Sequence, residues 1–463
     1  MMIEPYGSAA RESAENMKRL EWLFHIFAFA VQCNALVPLL SRISGNFSDL
    51  GASNPANTLS MAAVLSVVSA LILRRHRALT QFASGMWPVL ALVALALLSM
   101  TWSAYPDVTI RRAGSLATAT LWAWYLVARY DLKDVVLLIC QAAGLLALLS
   151  LAVGAASPGL GRAPDGWIGV FSTKNELGSI MALASVTYIY ILAARRPQFT
   201  NLLLFGAALI LILSLLYLSQ SRSAWVATMV GAMICIAIRM TYRRVGFGII
   251  VWATILLLIV PALALVSGQL GMLAAMLGKD STLTGRVELW MILPDYIAQA
   301  PWFGHGYAAF WVLDSVNVFQ IWTTVGWEPP HAHNGWLDVM LGLGVAGLVL
   351  MGTQILMILA NGIRSVVRGD KVESQYILII TFVILTSNIT ESAFFSPGSQ
   401  WVLLVISSAG LAKINMKWRS ENAVSAPRFA QGPRFVHDMH QRAPTPPSRI
   451  GWPSYTTRQP TER

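Results

Sequence analysis

Long apolar runs separated by short polar segments dominate the chain. A helix needs about 20 apolar residues to cross the hydrocarbon core of a bilayer. Twelve runs approach that length, at 22–40, 57–73, 86–101, 113–128, 135–154, 175–194, 200–218, 223–238, 246–267, 334–359, 376–389 and 400–412. The pattern therefore predicts an all-α integral membrane protein with about 12 transmembrane helices.

The connection between the ninth and tenth runs, residues 268–333, is far longer than the others. Within it, residues 284–298 carry apolar side chains at helical spacing, which predicts an amphipathic helix at the membrane surface. Pro294 predicts a kink or an early end. The tryptophans of this region fit an aromatic belt at the membrane interface, and they also fit flat surfaces for sugar rings: Trp290, Trp302, Trp311, Trp322, Trp327 and Trp336.

The distribution of basic residues orients the helices. With a cytoplasmic N-terminus, the inner segments carry sixteen Lys and Arg residues and the outer loops carry eight. The positive-inside rule then predicts a bacterial inner-membrane protein with both termini in the cytoplasm. The predicted layout is a cytoplasmic N-terminus (1–21), helices 1–9 (22–267), a large periplasmic loop (268–333), helices 10–12 (334–414) and a disordered basic cytoplasmic tail (415–463).

Composition supports the membrane assignment and narrows the functions. The chain is 56% hydrophobic and 12% charged, whereas soluble domains carry about 25% charged residues. The net charge of +11 is spread over short inner loops and the tail, which favours contact with anionic lipids over nucleic acid. The three cysteines, Cys33, Cys140 and Cys235, lie inside apolar runs without CxxC spacing, so neither a zinc site nor a disulfide framework is predicted.

Basic residues on the outer side break the inside bias and are candidates for binding an anion. Arg222 lies in the tight turn between two helices, and Arg286 precedes the amphipathic helix. Lys174 and Asn175 open a helix, where the backbone N–H groups also attract anions. The alternative for each basic side chain is snorkelling to the interface or a structural ion pair.

Two histidines lie where the large loop meets the tenth helix, in Pro-Pro-His331-Ala-His333-Asn334-Gly-Trp. Histidine can accept and return a proton near neutral pH. No HExxH and no Asp-x-Asp pair is present, so no metal or cofactor is predicted. Outer arginines, a histidine and many tryptophans suit group transfer from a lipid diphosphate, because arginine stabilises the leaving anion and histidine deprotonates the attacking hydroxyl.

These residues resemble the O-antigen ligase and polymerase superfamily. His333-Asn334, nine residues, Gly344, two residues and Gly347 match the ligase motif in full. The surrounding sequence is similar to exopolysaccharide polymerisation proteins of the succinoglycan type, through Trp102-Ser103 with Arg111-Arg112, Gly169-Val170-Phe171 with Lys174-Asn175, and Gly304-His305-Gly306-Tyr307 with Phe310-Trp311. The resemblance covers about residues 90–410.

The resemblance implies a metal-independent glycosyltransferase that joins undecaprenyl-diphosphate-linked oligosaccharide repeats into exopolysaccharide. His333 matches the general base, and Arg222 and Arg286 match arginines that hold the diphosphate. Lys174, Asn175, His331 and Asn334 are further candidates for substrate binding. The Ser-Arg-Ser turn that contains Arg222 is a departure, since related exopolysaccharide proteins can lack this arginine.

Three alternatives stay open. A ligase of the same superfamily would transfer the lipid-linked glycan to lipid A core or to protein. A transporter of lipid-linked glycan or of small anions would place ionisable groups near the bilayer midplane, whereas the candidates here cluster at the outer boundary. A structural assembly partner is the third. The expected partners are the lipid-linked donor, a glycan acceptor and membrane lipids, with a chain-length regulator and export proteins as further candidates and no nucleic acid.

Overall fold

The computed structural model describes residues 6–35, 37–44, 55–195, 198–243, 285–369 and 373–425. The helices are α1 Tyr6–Gln32, α2 Val37–Ser44, α3 Pro55–Thr80, α4 Trp87–Leu98, α5 Pro106–Arg129, α6 Leu132–Ala156, α7 Pro158–Gly161, α8 Lys174–Arg195, α9 Phe199–Leu218, α10 Arg222–Arg243, α11 Arg286–Gln299, α12 Val316–Val325, α13 Gly335–Val367, α14 Glu373–Ser387 and α15 Ser399–Ser425. Two short antiparallel strands, β1 Arg162–Ala163 and β2 Gly166–Trp167, form the sheet structure of this part of the chain. Residues 1–418 form one compact unit, which holds the candidate functional site, and residues 419–463 form a second.

The predicted all-α membrane protein is confirmed. Among the described residues, six helical segments are long and apolar enough to span a bilayer, and the pair α1 and α2 adds a seventh if it forms one span. Apart from 246–267, which lies outside the described residues, each predicted apolar run coincides with helical structure. The total of 12 spans stays a prediction, as does the topology.

The first predicted run, 22–40, is not one continuous helix. Helix α1 ends at Gln32, and Asn34 takes a left-handed conformation with φ of +51°. The N–H groups of Asn34 and Ala35 donate to the carbonyls of Val31 and Ala30, which is the Schellman pattern of a helix C-terminus. Pro38, near the start of α2, has no N–H to donate and disfavours helical backbone just before it, so the break follows from the sequence.

The end of the chain also differs from its predicted boundary. Helix α15 runs to Ser425, whereas the disordered tail was predicted to begin at residue 415. An apolar run marks the part of a helix that lies in lipid, and a helix can continue beyond it into polar sequence. Residues 426–463 of the predicted tail lie outside the described residues.

The predicted helix of the large loop is present as α11, Arg286–Gln299, with Pro294 inside it. Its buried positions are Leu289 and Leu293, one turn apart. They pack in a small hydrophobic cluster that is separate from the main core and also includes Phe310, Ile321, Ala332 and Leu341. This cluster fixes Ala332, and therefore the histidines on either side of it, against the start of α13.

Helix α13 contains a break that explains a glycine of the motif. Gly344 has φ of +60° and ψ of −156°, so the helical path is interrupted there. The segment 301–306 packs against the break: the N–H groups of Val345 and Ala346 donate to the carbonyls of Pro301 and Trp302. A Cβ on Gly344 would lie 2.5 Å from the Trp302 backbone. Only glycine fits both this conformation and this contact.

We expect Gly344→Ala to destabilise the protein. The left-handed backbone alone costs about 1–3 kcal/mol for a residue with a Cβ, and the displaced backbone of residues 301–303 adds to it. Gly352→Ala is the matched control, because it lies in the same helix with no atom within 4 Å of the added Cβ. Thermal unfolding of both variants in detergent checks this, and equal melting temperatures would contradict it.

Candidate functional site

The motif His333-Asn334 begins a helix. Asn334 is the N-cap of α13, and its Oδ1 accepts hydrogen bonds from the N–H groups of Trp336 (3.0 Å) and Leu337 (3.3 Å). Its Nδ2 donates to the carbonyl of Ile389 at 3.3 Å. Asn334 was predicted to bind substrate, but both ends of its amide are occupied within the protein. Its observed contacts hold the histidine loop against the 388–392 segment.

His333 sits immediately before this cap in a strained conformation. It is a buried non-glycine residue with φ of +50°. Such a conformation costs free energy and is found preferentially at functional sites. Its own N–H donates to Nδ1 of His331 at 3.1 Å, and the centroids of the two rings lie 4.1 Å apart. The strain therefore serves to place the two imidazoles side by side.

Glu391 connects the histidine to the large loop. Its Oε2 lies 3.5 Å from Nδ1 of His333, close enough for an ion pair, and its Oε1 lies 3.1 Å from Nη2 of Arg286. The other terminal nitrogen of Arg286 donates to the carbonyl of Thr390 at 2.6 Å. The two residues predicted as base and anion binder thus share one carboxylate.

Helices α8 and α10 also reach the carboxylate of Glu391. Asn175 donates from Nδ2 to Oε1 of Glu391 at 3.1 Å, and Ser223 donates to the same oxygen at 3.5 Å. Arg222, next to Ser223, is exposed and forms no hydrogen bond or ion pair with the described residues. The structure therefore brings Asn175 and the Arg222 turn to the His333 site.

Lys174 does not join this cluster. Its Nζ lies 2.8 Å from Oδ2 of Asp165 in the preceding loop. Successive residues of a helix point in different directions, so Asn175 faces Glu391 while Lys174 faces the loop. The predicted anion-binding lysine is occupied by a structural ion pair.

Three tryptophans hold the histidine loop in place. Trp290 donates from Nε1 to the carbonyl of Ala332 (2.8 Å), and Trp322 donates to the carbonyl of Pro329 (3.2 Å). Trp311 donates to Oδ1 of Asp338 (2.7 Å), whose carboxylate also accepts from the Ala332 N–H. These indoles combine a large apolar surface with one polar group, and here that group organises the site.

The electrostatics of the loop favour a neutral His331 and an ionised Glu391. The pKa of His331 is lowered to about 3, chiefly because the ring is buried and also because of the neighbouring His333. Burial by itself would raise the pKa of the Glu391 carboxyl, but the contact with His333 and the charge of Arg286 outweigh it and lower that pKa. The cluster therefore holds a carboxylate beside two imidazoles and a guanidinium.

The lowered pKa of His331 predicts acid sensitivity. Its ordinary pKa is 6.5 and its folded value is about 3, so below pH 6.5 the unfolded chain binds a proton that the folded chain does not. Stability should therefore fall as the pH falls through 6.5 toward 3. We expect His331→Gln to lose less melting temperature than wild type between pH 7.5 and pH 5. Parallel losses in the two proteins would contradict this.

His331, His333 and Glu391 could together hold a metal ion, since one ligand atom from each lies within 4.8 Å of the others. Two features disfavour this use. The guanidinium of Arg286 lies on the same carboxylate, and Nδ1 of His331 already accepts a hydrogen bond. A metal-independent site stays the prediction, and the activity assay below includes a chelator to test it.

Residues 207–352 match the O-antigen ligase family. Over 355 residues it is 22% identical to the exopolysaccharide production protein ExoQ of Rhizobium meliloti (strain 1021), covering 74% of this chain and 81% of that protein. The predicted resemblance to this superfamily, near its exopolysaccharide proteins, is confirmed, and so is the prediction of a multi-pass membrane protein.

The matched O-antigen ligase region contains Arg222, Arg286 and His333, whereas Glu391 lies beyond it. Sequence reasoning missed Glu391. A signal was present: it is a single acidic residue between two apolar helices, in a chain with few charges. A carboxylate at such a boundary requires a partner or a function, and the structure supplies His333 and Arg286.

Proposed function

We propose that this protein is an inner-membrane glycosyltransferase that polymerises lipid-diphosphate-linked oligosaccharide repeats into exopolysaccharide. The observation that carries the proposal is the cluster of His333, Glu391 and Arg286, of which the resemblance identifies His333 and Arg286. The O-antigen ligase match and the similarity to an exopolysaccharide production protein support the reaction class.

In the proposed mechanism His333 is the general base. Glu391 faces its Nδ1, which favours the tautomer with the proton on Nδ1 and leaves Nε2 free to accept a proton. The acceptor hydroxyl oxygen attacks the anomeric carbon of the donor while its proton moves to Nε2. Glu391 then stabilises the imidazolium, as the acidic residue does in hydrolase triads.

The bond that breaks joins the anomeric carbon to the diphosphate, which leaves as a lipid-linked anion. Arg286 is held by Thr390 and Glu391, and this fixed guanidinium can stabilise the developing charge with little reorganisation. Arg222, exposed beside the same cluster, supplies a second cation. Attack from the face opposite the leaving group would invert the anomeric centre.

A ligase would use the same chemistry with a different acceptor. The basic-residue distribution supports a periplasmic site with both termini in the cytoplasm, where nucleotide sugars are absent and a lipid-linked donor supplies the activated sugar. Similarity to an exopolysaccharide production protein favours polymerisation over transfer to lipid A core or protein. Undecaprenyl diphosphate is the proposed carrier.

The test is extension of an undecaprenyl-diphosphate-linked repeat by purified full-length protein in detergent, with EDTA present. We expect a ladder of longer lipid-linked glycans. A single addition to a lipid or protein acceptor without a ladder would replace the polymerase with the ligase. Donor turnover that stops with EDTA and returns with a divalent ion would overturn the metal-independent mechanism.

A further inference from the structure

A cavity of about 360 Å³ lies beside His331 and is separate from the ion-pair cluster. Neither His333, Glu391 nor Arg286 lines it, whereas His331 does. Because the rings of His331 and His333 are in contact, His331 forms a shared wall between the cavity and the proposed base. The volume falls in the range of about 300–1,000 Å³ that is typical of small-molecule sites.

Aromatic side chains form much of the cavity wall. Phe310, Trp311, Trp322, Phe394 and Phe395 all line it. Flat aromatic faces pack well against the apolar faces of sugar rings. The polar groups are few, which is typical of a site that fixes the orientation of one ligand.

One of these polar groups is a cation without a carboxylate partner. Arg112 donates a hydrogen bond to the carbonyl of Ala308 and forms no ion pair within the described part of the chain. The acidic residue in the cavity wall, Asp338, instead accepts from Trp311 and Ala332. A guanidinium that is partly withdrawn from water in a cavity wall is costly unless an anion balances it, so Arg112 points to an anionic ligand.

The neighbouring residue shows the contrast. Arg111 is exposed, and its Nε donates to the carbonyl of Asp107 within the same helix. Arg112, one position on, is turned toward the loop that follows α11 and contacts Ala308, which itself has a left-handed φ of +52°. A strained backbone position and a partly buried cation therefore lie together at the edge of the cavity.

We propose that this cavity binds the acidic end of the acceptor glycan, with the Arg112 guanidinium on a sugar carboxylate and the aromatic side chains against the ring. This rests on the proposed function. The shared wall at His331 would bring an acceptor hydroxyl toward His333, while the donor diphosphate occupies the side with Arg286 and Arg222. The specificity of Arg112 comes from its planar fork of N–H groups, which matches a carboxylate.

The test is a binding measurement that needs no catalysis. Cellobiouronic acid and cellobiose are compared as probes with purified full-length protein, by saturation-transfer NMR titration in detergent. We expect the acid to bind wild type at least about tenfold more tightly than the neutral disaccharide. Arg112→Gln should remove that preference, and the matched control Arg111→Gln should keep it. Failure of polymerase activity would leave this result untouched.

Two further measurements distinguish a sugar carboxylate from a diphosphate as the anion that binds in the cavity. Arg286→Gln should keep the preference for cellobiouronic acid, because Arg286 does not line the cavity. Inorganic pyrophosphate should bind independently of Arg112; if its binding needs Arg112 and that of the acid does not, the cavity is a diphosphate site and the proposal is wrong. The preference for cellobiouronic acid over cellobiose is measured on the wild-type protein. If wild type shows no such preference, the proposal is wrong even if Arg112→Gln fails to fold.

Discussion

His333→Asn abolishes glycan extension while the protein stays folded: this is the largest effect that we expect. A general base contributes about 10²–10⁴-fold to rate, so turnover should fall by at least that lower bound. Asparagine tolerates the left-handed conformation better than most residues. The variant should therefore keep the melting temperature of wild type even though His333 has φ of +50°. Extension rates and thermal unfolding are measured on the same preparations.

His305→Gln is the control for this substitution. His305 also lies in the large loop, but its Nε2 contacts the carbonyl of Tyr296 and it takes no part in the ion-pair cluster. It should retain activity. If His333→Asn extends glycan at the wild-type rate, His333 is not the base. Loss of folding in His333→Asn would instead assign the strain a structural role.

The second large effect concerns the pair of Arg286 and Glu391. Removing one preorganised donor of a developing anion typically lowers kcat by about 10²–10³, and we expect this for Arg286→Gln. Arg286→Lys should not restore full activity, because an ammonium cannot reproduce the contacts of the guanidinium with Thr390 and Glu391. Steady-state kinetics should show the loss chiefly in kcat.

Glu391→Gln separates the two roles of the carboxylate. Since Glu391 contacts both Arg286 and His333, the double variant Arg286→Gln with Glu391→Gln should lose much less than the product of the single losses. Arg111→Gln, an exposed arginine, is the matched control and should be active. If the double variant loses activity by the full product of the two single losses, Arg286 and Glu391 act independently. That result would contradict a role for the hydrogen bond between them.

Most residues at the site stabilise the local backbone conformation in addition to any contact with substrate. Asn334 caps a helix and Gly344 permits its break, and Trp290 and Trp322 anchor the loop. The motif of histidine, asparagine and spaced glycines therefore also determines the local backbone structure. It sets the loop, the start of the helix and the point where segment 301–306 packs into it.

The sequence by itself determined the features that depend on local pattern. Hydropathy located the apolar helices, because a run of about twenty apolar residues is stable only in lipid or in a protein core. Helical spacing located α11, the motif located His333, and the basic residues on the predicted outer side included the two arginines. Even the break before α2 was encoded locally, in Asn34 and Pro38, although the apolar run across it hid the break.

The tertiary structure alone decided which of these residues meet. Glu391 joins Arg286, 105 positions away, and Asn175, 216 positions away, and no periodicity reports such pairings. It also distinguished Lys174, which is occupied by Asp165, from Asn175 at the site, and Arg112 in the cavity wall from exposed Arg111. The type of each residue sets the chemistry that it can perform. Packing decides which charged groups are buried together, and such burial alters their protonation and so suits them to a functional role.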